Sequence, residues 1–285
     1  MIPYSKLNSQ GNDFIFVAYD DSKPQLTIDQ IKHYSKRDVI GCDQFFIINT
    51  SDINNIYCEV INQDGSRACQ CGNGLRAAML FLNKKYKSKT ANLIVCDSTY
   101  KAKIKGDIIH VDMGSPVYID RLPEIDKEKF HVSKRGLVIT LIDLTTKLEF
   151  SFIPLSIGNN HCVVFSDGCD KHKDNISNIL NHLYNGDMNV GFVCNAEDFF
   201  LDDTTIVDLL VNERGAGYTQ SCGSGATAAA ICLFKLFELR FESKVKKSLI
   251  KIKQRGGILE VIKSYNPDEF TLCGPSSYDE DGILD

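Results

Sequence analysis

Two cysteines carry the chemistry that this sequence suggests most directly. Cys71 opens the run CGNGLRAA and Cys222 opens the run CGSGATAA, so each precedes small residues and then an apolar helical pattern. The first amides of a helix have no partner within the helix, and the positive end of the helix dipole lies there. Both effects stabilise a thiolate and lower a cysteine pKa from about 8.5 towards neutrality. Each cysteine is therefore a candidate acid–base group.

The same helix amides form a carboxylate site. If the two helix starts face one cleft, two sets of amides hold one carboxylate, and two sulfurs flank the carbon attached to it. A thiolate on one side removes the proton, a thiol on the other side delivers one, and the configuration inverts. The amides also stabilise the enolate-like charge that grows on the carboxylate. The pattern predicts a proton-transferring isomerase.

The two cysteine motifs belong to an internal duplication. Gly158 follows Gly11 by 147 residues in similar runs, GNDF and GNNH, and Cys222 follows Cys71 by 151 residues. The runs INQDG from residue 61 and VNERG from residue 211 lie between them in the same order. Near-constant spacing indicates one fold used twice, with pseudo-twofold symmetry.

Hydrophobic patterning predicts the elements that must position these residues. Amphipathic helices are expected at 28–37 and 74–86, and a polar-faced helix at 173–184. The runs 77–82 and 226–234, in the helices after the two cysteines, are apolar on nearly every side and must be buried all round. Short β-branched and aromatic runs predict strands, at 14–18, 45–48, 57–61, 92–96, 100–104, 108–112, 138–144, 148–153, 206–211, 249–253, 258–263 and 270–273.

These elements predict an α/β (α+β) protein of two pseudosymmetric lobes, each a mixed or antiparallel β cage around a central helix. The expected N-terminal lobe comprises residues 1–120 and 268–285, and the C-terminal lobe comprises 121–267. The charged segment 121–136, which contains Pro123, is the expected linker. The acidic run at 279–281 is expected to be a solvated tail.

Composition excludes several classes of protein. The 285 residues are 43% apolar and 24% charged, as in globular proteins, and the net charge of −5 argues against a nucleic-acid partner. We expect no membrane span and no signal peptide, because neither pattern is present, and hence a cytoplasmic protein.

The eleven cysteines are odd in number and scattered. A disulfide framework is therefore not expected, and most of these cysteines are expected to be small buried hydrophobic residues. No second cysteine pair complements Cys69 and Cys71, so no metal site is predicted.

Taken together, the motifs resemble those of the diaminopimelate epimerase family, in order and from residue 1 almost to the end. The resemblance rests on GNDF at 11, NxDGS at 62, CGNGxR at 71, GNxHCV at 158, NxGF at 189 and ERGxGxTxxCGSG at 213. It implies two similar lobes and a two-cysteine mechanism without cofactor that interconverts LL- and meso-2,6-diaminopimelate. It also implies a role in lysine and peptidoglycan precursor synthesis in the bacterial cytoplasm, with a small-molecule substrate and a homodimer in many members.

The resemblance assigns roles residue by residue. Cys71 and Cys222 match the catalytic pair. The remaining matches cradle the reacting carboxylate, hold the distal amino-acid head or line the cleft. They are Gly72, Asn73, Gly223 and Ser224 for the cradle, Asn62, Asn189, Glu213 and Arg214 for the substrate's charged groups, and Asn12, Gln44, Asn159 and His161 for the cleft.

Some positions depart from the family pattern. Asn160 stands where proline is usual, Tyr218 where glutamate is common, and Gln10 where an apolar residue is usual, and residues 98–100 replace a smaller turn. None of these departures removes a catalytic group.

Two other interpretations remain open at this point. A racemase of another amino acid, such as proline or glutamate, would use the same cysteine pair. A non-catalytic duplicated protein would use the cysteines as metal ligands or as a redox pair. An inactive Cys71–Cys222 disulfide is a further hypothesis. The sequence leaves open the oligomeric state, the extent of domain closure and which cysteine acts on which stereoisomer.

Overall fold

The chain folds into two compact units. The computed structural model describes residues 1–120, 125–165, 171–196, 199, 206–241, 248–264 and 269–285. The first unit comprises Met1–Met113 and Thr271–Asp285, and the second comprises Gly114–Phe270. Both combine strands with a few helices, which confirms the predicted α/β class.

The first unit is built from strands around one long helix. Its elements are β1 (Ile2–Ser9), β2 (Asn12–Tyr19), α1 (Ile28–Ser35), β3 (Gln44–Asn49), β4 (Asn55–Asn62), β5 (Arg67–Ala68), α2 (Gly72–Tyr86), β6 (Thr90–Val95), β7 (Ser98–Lys105) and β8 (Ile108–Gly114), completed by β19 (Phe270–Gly274) and β20 (Ser277–Leu284) from the end of the chain.

The second unit repeats this plan. Its described elements are β9 (Val117–Tyr118), β10 (Phe130–Arg135), β11 (Val138–Asp143), β12 (Glu149–Ser156), β13 (Asn160–Phe165), α3 (Lys173–Leu183), β14 (Asn189–Val193), β15 (Ile206–Glu213), β16 (Gly217–Tyr218), α4 (Gly223–Phe241), β17 (Leu249–Gln254) and β18 (Gly257–Lys263).

Strand pairing confirms the duplication that the sequence predicts. In the first unit β1–β2 is antiparallel, β2–β3 parallel, β3–β4 antiparallel, β4–β6 parallel and β6–β7 antiparallel. In the second unit β12–β13, β13–β14, β14–β15, β15–β17 and β17–β18 show the same alternation. The two halves therefore share one topology.

The long helices α2 and α4 are buried, as their apolar patterns predict. Every residue of α2 from Gly72 to Leu82 is buried, and in α4 the run from Ala228 to Leu233 is almost fully excluded from solvent. The shorter helices bury one face each, α1 through Ile31 and α3 through Ile176 and Leu180. Within the described ranges, no helix combines the length and apolar character needed to cross a lipid bilayer.

Two expectations about chain segments are wrong. The acidic run 279–281 is exposed as expected but is not a tail: it is part of β20, which pairs with β1 over nearly its whole length, and Asp281 accepts a hydrogen bond from Ser5 Oγ at 2.6 Å. A strand edge far away in sequence supplies these partners, so local composition misleads. Residues 130–135 of the expected linker form β10, while residues 121–124 lie outside the described ranges.

Candidate active site

Cys71 caps the N-terminus of α2. Its backbone is extended, with φ −155° and ψ 97°, and its Sγ accepts a hydrogen bond from the Gly74 amide at 3.2 Å. The sulfur therefore satisfies one of the amides that the first turn leaves unpaired. The residue as a whole is half-buried.

Cys222 has the same relation to α4. Its Sγ accepts a hydrogen bond from the Gly225 amide at 3.3 Å, and its carbonyl accepts the Ala226 amide at 2.9 Å as the first helical bond. The predicted placement of both cysteines at helix starts is confirmed by these bonds.

Close packing, rather than a turn, explains the glycine three residues after each cysteine. A Cβ on Gly74 would lie 2.4 Å from Phe46 Cζ and 3.2 Å from Cys71 Sγ, and a Cβ on Gly225 would lie 2.9 Å from Val211 Cγ2. Both glycines lie inside helices.

We predict that Gly74→Ala lowers the free energy of unfolding by about 1–3 kcal/mol, because the added methyl group overpacks against the buried Phe46 ring. Gly191→Ala is the matched control, since its Cβ would meet Leu209 Cδ1 at an ordinary 3.5 Å, and we expect a change within about 0.5 kcal/mol. Urea denaturation of both variants measures the difference. Equal stability of the two variants would contradict the packing argument.

A buried cation lies within electrostatic range of Cys71. Arg76 is fully buried on α2, and burial lowers the pKa of its guanidinium to about 10, while the nearby Cys71 and Cys273 sulfurs oppose this shift. It donates to Asn73 Oδ1 at 2.7 Å and to the Pro275 carbonyl at 2.8 Å. Arg76 thus holds one member of the predicted carboxylate cradle.

Arg76 is not among the site residues that the sequence predicts. Its signal is a charged residue within an otherwise apolar helix. The position equivalent to Arg76 in α4, 151 residues later, is Thr227, which instead bonds the Gly223 carbonyl at 2.9 Å. The two helix starts therefore differ in charge although they share a motif.

The environment of Cys222 favours the protonated thiol. Burial raises the pKa of Cys222 well above its ordinary value, and the nearby Glu213 carboxylate adds to the rise. The Ser224 hydroxyl and the Gly225 amide act in the opposite direction with smaller effect. The predicted lowering by the helix start is present, but desolvation outweighs it in this structure.

Polar side chains cluster at one sheet edge in the first unit. Asn12 begins β2, Gln44 begins β3 and Asn62 ends the antiparallel β4, so all three reach the same edge. Gln44 Nε2 donates to Asn62 Oδ1 at 2.9 Å, whereas the buried Gln44 Oε1 has no hydrogen-bond partner among the described atoms. Asn12 Nδ2 donates to Asp43 at 2.6 Å.

The equivalent edge in the second unit carries His161, Asn189 and Glu213. His161 pairs in register with Asn189 on the parallel strand β14, and Glu213 ends the antiparallel β15. Asn189 Oδ1 accepts the Arg214 amide at 3.0 Å, and the Arg214 guanidinium forms an ion pair with Asp187. Glu213 accepts a hydrogen bond from Thr219.

A short network links this edge to the start of α4. Asn159 Nδ2 donates to Ser224 Oγ at 3.2 Å, and Asn159 Oδ1 lies 2.9 Å from His161 Nε2. Burial lowers the pKa of His161 to about 3, so the ring is neutral at physiological pH. His161 therefore orients Asn159 rather than supplying charge.

The family departures have partners within their own unit. Asn160 Nδ2 donates to Asp187 at 2.8 Å and the Tyr218 hydroxyl donates to Asp174 at 2.8 Å. Gln10 Oε1 accepts from Arg76 at 3.4 Å. Asn160 and Gln10 thus contact Asp187 and Arg76, the partners of the candidate site residues Arg214 and Asn73, whereas Tyr218 contacts helix α3.

One disulfide was not expected. Cys69 and Cys96 are joined, with their Cα atoms 5.4 Å apart. The pair closes a loop that contains Cys71 and the whole of α2. Sequence counting could not find it, because the partner is set by the fold of the β6–β7 hairpin.

Comparison with known proteins matches both units of the chain to one family model. The family model described as diaminopimelate epimerase matches residues 4–119 and 154–274. A diaminopimelate epimerase of Pelagibacter ubique (strain HTCC1062) is 29% identical over 231 residues, which cover 79% of this chain and 81% of that protein. One of Xylella fastidiosa (strain 9a5c) is 29% identical over 293 residues, covering 98% and 95%.

Solved structures share the fold at low sequence identity. A predicted epimerase from Pseudomonas aeruginosa superposes with a TM-score of 0.67 at 12% identity, covering 100% of this chain and 99% of that chain. A hydroxyproline epimerase from Agrobacterium vitis with bound trans-4-hydroxy-L-proline gives a TM-score of 0.64 at 10% identity, covering 99% and 91%. With the family model spanning most of both units, the chain belongs to the diaminopimelate epimerase family and is an isomerase.

Proposed function

We propose that this chain interconverts LL- and meso-2,6-diaminopimelate without a cofactor, by moving protons at one α-carbon through Cys71 and Cys222. The reaction supplies lysine and peptidoglycan precursors in the cytoplasm. One observation carries the proposal: in each unit the cysteine caps the long buried helix, and its sulfur accepts a hydrogen bond from the amide three residues later.

The helix starts supply the charge stabilisation that α-proton removal needs. Amides at Gly72–Asn73 and Gly223–Ser224 hold the reacting carboxylate. Negative charge develops on that carboxylate as the proton leaves, and preorganised donors stabilise such charge strongly. Arg76 keeps Asn73 in place through the 2.7 Å bond to its Oδ1.

The charge difference between the two units suggests the resting protonation state. Arg76 places a cation near Cys71, whereas Glu213 places an anion near Cys222. Cys71 then starts as the thiolate and takes the α-proton, while Cys222 starts as the thiol and donates to the opposite face. After turnover Cys71 is the thiol and Cys222 the thiolate, and the total charge of the pair is unchanged.

Substrate binding itself helps Cys222 to ionise for the reverse reaction. Glu213 is the proposed acceptor for the substrate ammonium. An ammonium beside this carboxylate cancels the anion that raises the pKa of Cys222. The Cys222 thiolate is therefore formed more easily in the complex than in the free enzyme.

The distal amino-acid head is bound by the sheet-edge residues. The unpaired Gln44 Oε1 is suited to accept from an ammonium, and the Arg214 guanidinium is suited to bind a carboxylate in two places. The other proposed contacts are Asn12, Asn62, Asn159 and Asn189, with His161 holding Asn159 as described above.

Solvent exchange tests the reaction. The purified protein, incubated with LL-diaminopimelate in deuterated buffer and no added cofactor, is expected to produce the meso isomer with deuterium at the inverted carbon. Mass spectrometry and chiral chromatography measure both quantities. A protein that neither exchanges nor inverts this substrate would refute the proposal.

We predict that Cys222 remains protonated in the free enzyme well above pH 8.5, the ordinary cysteine value, because burial raises its pKa. The thiolate absorbance at 240 nm, taken as the difference between wild type and Cys222→Ser, should show no ionisation below that pH. Glu213→Gln removes an anion and should shift the inflection to lower pH. An unshifted inflection in Glu213→Gln would contradict the electrostatic role.

A second candidate activity is racemisation of a smaller amino acid. The fold shared with the hydroxyproline epimerase favours it, since that structure holds trans-4-hydroxy-L-proline. Incubation with proline, hydroxyproline and glutamate beside diaminopimelate separates the two candidates by initial rate. We expect turnover of diaminopimelate alone, because Arg214 and the sheet-edge amides are suited to a second amino-acid head.

A further inference from the structure

The segment before Cys222 is held by the β17–β18 hairpin. Gln254, the last residue of β17, is buried and its side chain contacts both backbone groups of Cys222. The Cys222 amide donates to Gln254 Oε1 at 2.9 Å, and Gln254 Nε2 donates to the Cys222 carbonyl at 3.2 Å. The Gly256 amide in the hairpin turn also donates to the Gln220 carbonyl at 2.7 Å.

The first unit has a tether at the same place, but a covalent one. The β6–β7 hairpin pairs Val95 with Ser98 across a two-residue turn, just as β17–β18 pairs Gln254 with Gly257. Cys96 is the first turn residue and is bonded to Cys69. Cys69 precedes Cys71 by two residues, as Gln220 precedes Cys222.

We infer that the tip of the hairpin after each long helix positions the catalytic cysteine, through Gln254 in the second unit and through the Cys69–Cys96 disulfide in the first. This inference rests on the proposed function for the identity of the catalytic pair. Gln254 is a positioning residue, since it reaches the backbone of Cys222 and acts through it.

The physical reason is the orientation of the sulfur. Fixing the amide and the carbonyl of Cys222 fixes the peptide planes on both sides of its Cα, and these planes set the direction of the Cα–Cβ bond. The Gly225 amide, which donates to Sγ at 3.3 Å, then holds the sulfur on that Cβ. Proton transfer needs the sulfur within hydrogen-bond reach of the α-carbon's proton. A misplacement of about 1 Å can cost about 10²-fold in rate.

The two tethers differ in chemistry. Cys69 and Cys96 are both exposed, so a dithiol can reach the bond. Dithiothreitol would break the S–S bond, give two thiols and itself be oxidised to its cyclic disulfide. The Gln254 tether has no such sensitivity. The orientation of Cys71 therefore depends on redox conditions, whereas that of Cys222 does not.

Gln254→Leu tests the second-unit tether. We expect kcat for diaminopimelate to fall about 10- to 100-fold with KM within about twofold, and the alkylation rate of Cys222, but not of Cys71, to change in peptide mapping. Gln254→Glu keeps the acceptor for the Cys222 amide, and its kcat should lie between those of the wild type and Gln254→Leu. Gln30→Leu, which removes the α1 capping box, controls for general destabilisation. Wild-type kcat and Cys222 alkylation in a folded Gln254→Leu would overturn the inference.

Reduction tests the first-unit tether. Dithiothreitol is expected to lower kcat of the wild type and of the control Cys42→Ser by about 10-fold. Cys96→Ser lacks the disulfide, so its kcat should already be about 10-fold lower and should not change when dithiothreitol is added. Release of a Cys71–Cys222 disulfide would instead raise activity, so the direction separates the two effects. Full activity of Cys96→Ser would overturn the inference that the disulfide positions Cys71.

Epimerase activity and the Gln254 tether are measured by independent experiments. A wild type without epimerase activity on any tested amino acid would reject the proposed function. The tether would still be judged by the Cys222 alkylation rate in Gln254→Leu, which requires no substrate.

Discussion

Cys71→Ala and Cys222→Ala should each lose epimerisation in both directions, with kcat lower by at least about 10³-fold. In the proposed mechanism each reaction direction needs one sulfur to accept a proton and the other to donate one, so neither cysteine is dispensable. The assay follows the LL and meso isomers by chiral chromatography. Circular dichroism confirms folding, and Cys42→Ser, which changes a buried thiol with no proposed role, is the matched control.

The single variants also assign each cysteine to a stereoisomer. An enzyme that retains only Cys71 can still remove the α-proton from the isomer that presents it to that sulfur, and can return a solvent deuteron to the same face. Deuterium then enters one isomer without inversion. Cys71→Ala and Cys222→Ala should label opposite isomers. Labelling of the same isomer by both variants, or full activity of either, would contradict the two-sulfur mechanism.

The cysteine motifs were predictable because their signal is local and repeated. A cysteine followed by small residues and an apolar run fixes a helix start, and the same pattern 151 residues later indicates duplication. The burial of α2 and α4 follows from their apolar sides by the same reasoning. Their Sγ–amide bonds at Gly74 and Gly225 are the structural counterpart of that pattern.

The surroundings of the motifs were not predictable, because they depend on contacts between distant residues. Arg76 is hydrogen-bonded to Pro275, 199 residues away in sequence, and Gln254 is hydrogen-bonded to Cys222, 32 residues away. The same holds for β20, whose partner β1 lies at the other end of the chain. The raised pKa of Cys222 was not predictable either, because local sequence indicates the helix start but not the burial that raises the pKa.

Arg214→Met should raise KM for diaminopimelate by about 10- to 150-fold, since it removes charged hydrogen bonds worth about 1.5–3 kcal/mol. The proposed role of Arg214 is to bind the distal carboxylate in two places, a geometry that suits its planar guanidinium. Arg214→Lys keeps the positive charge but lacks the paired planar donors of the guanidinium, so its KM should lie between those of the wild type and Arg214→Met. Equal KM values in wild type and Arg214→Met would exclude this role.

Asp187 provides a control that works in the opposite direction. Its carboxylate pairs with the Arg214 guanidinium, and both side chains are largely exposed, so the pair adds little to stability. In the role proposed for Arg214, the substrate carboxylate competes with Asp187 for the same guanidinium. Asp187→Asn weakens that competitor and should lower KM, while Arg214→Met raises it. A rise in KM in both variants would mean that the ion pair serves only to hold the loop, and the distal carboxylate would then need a different partner.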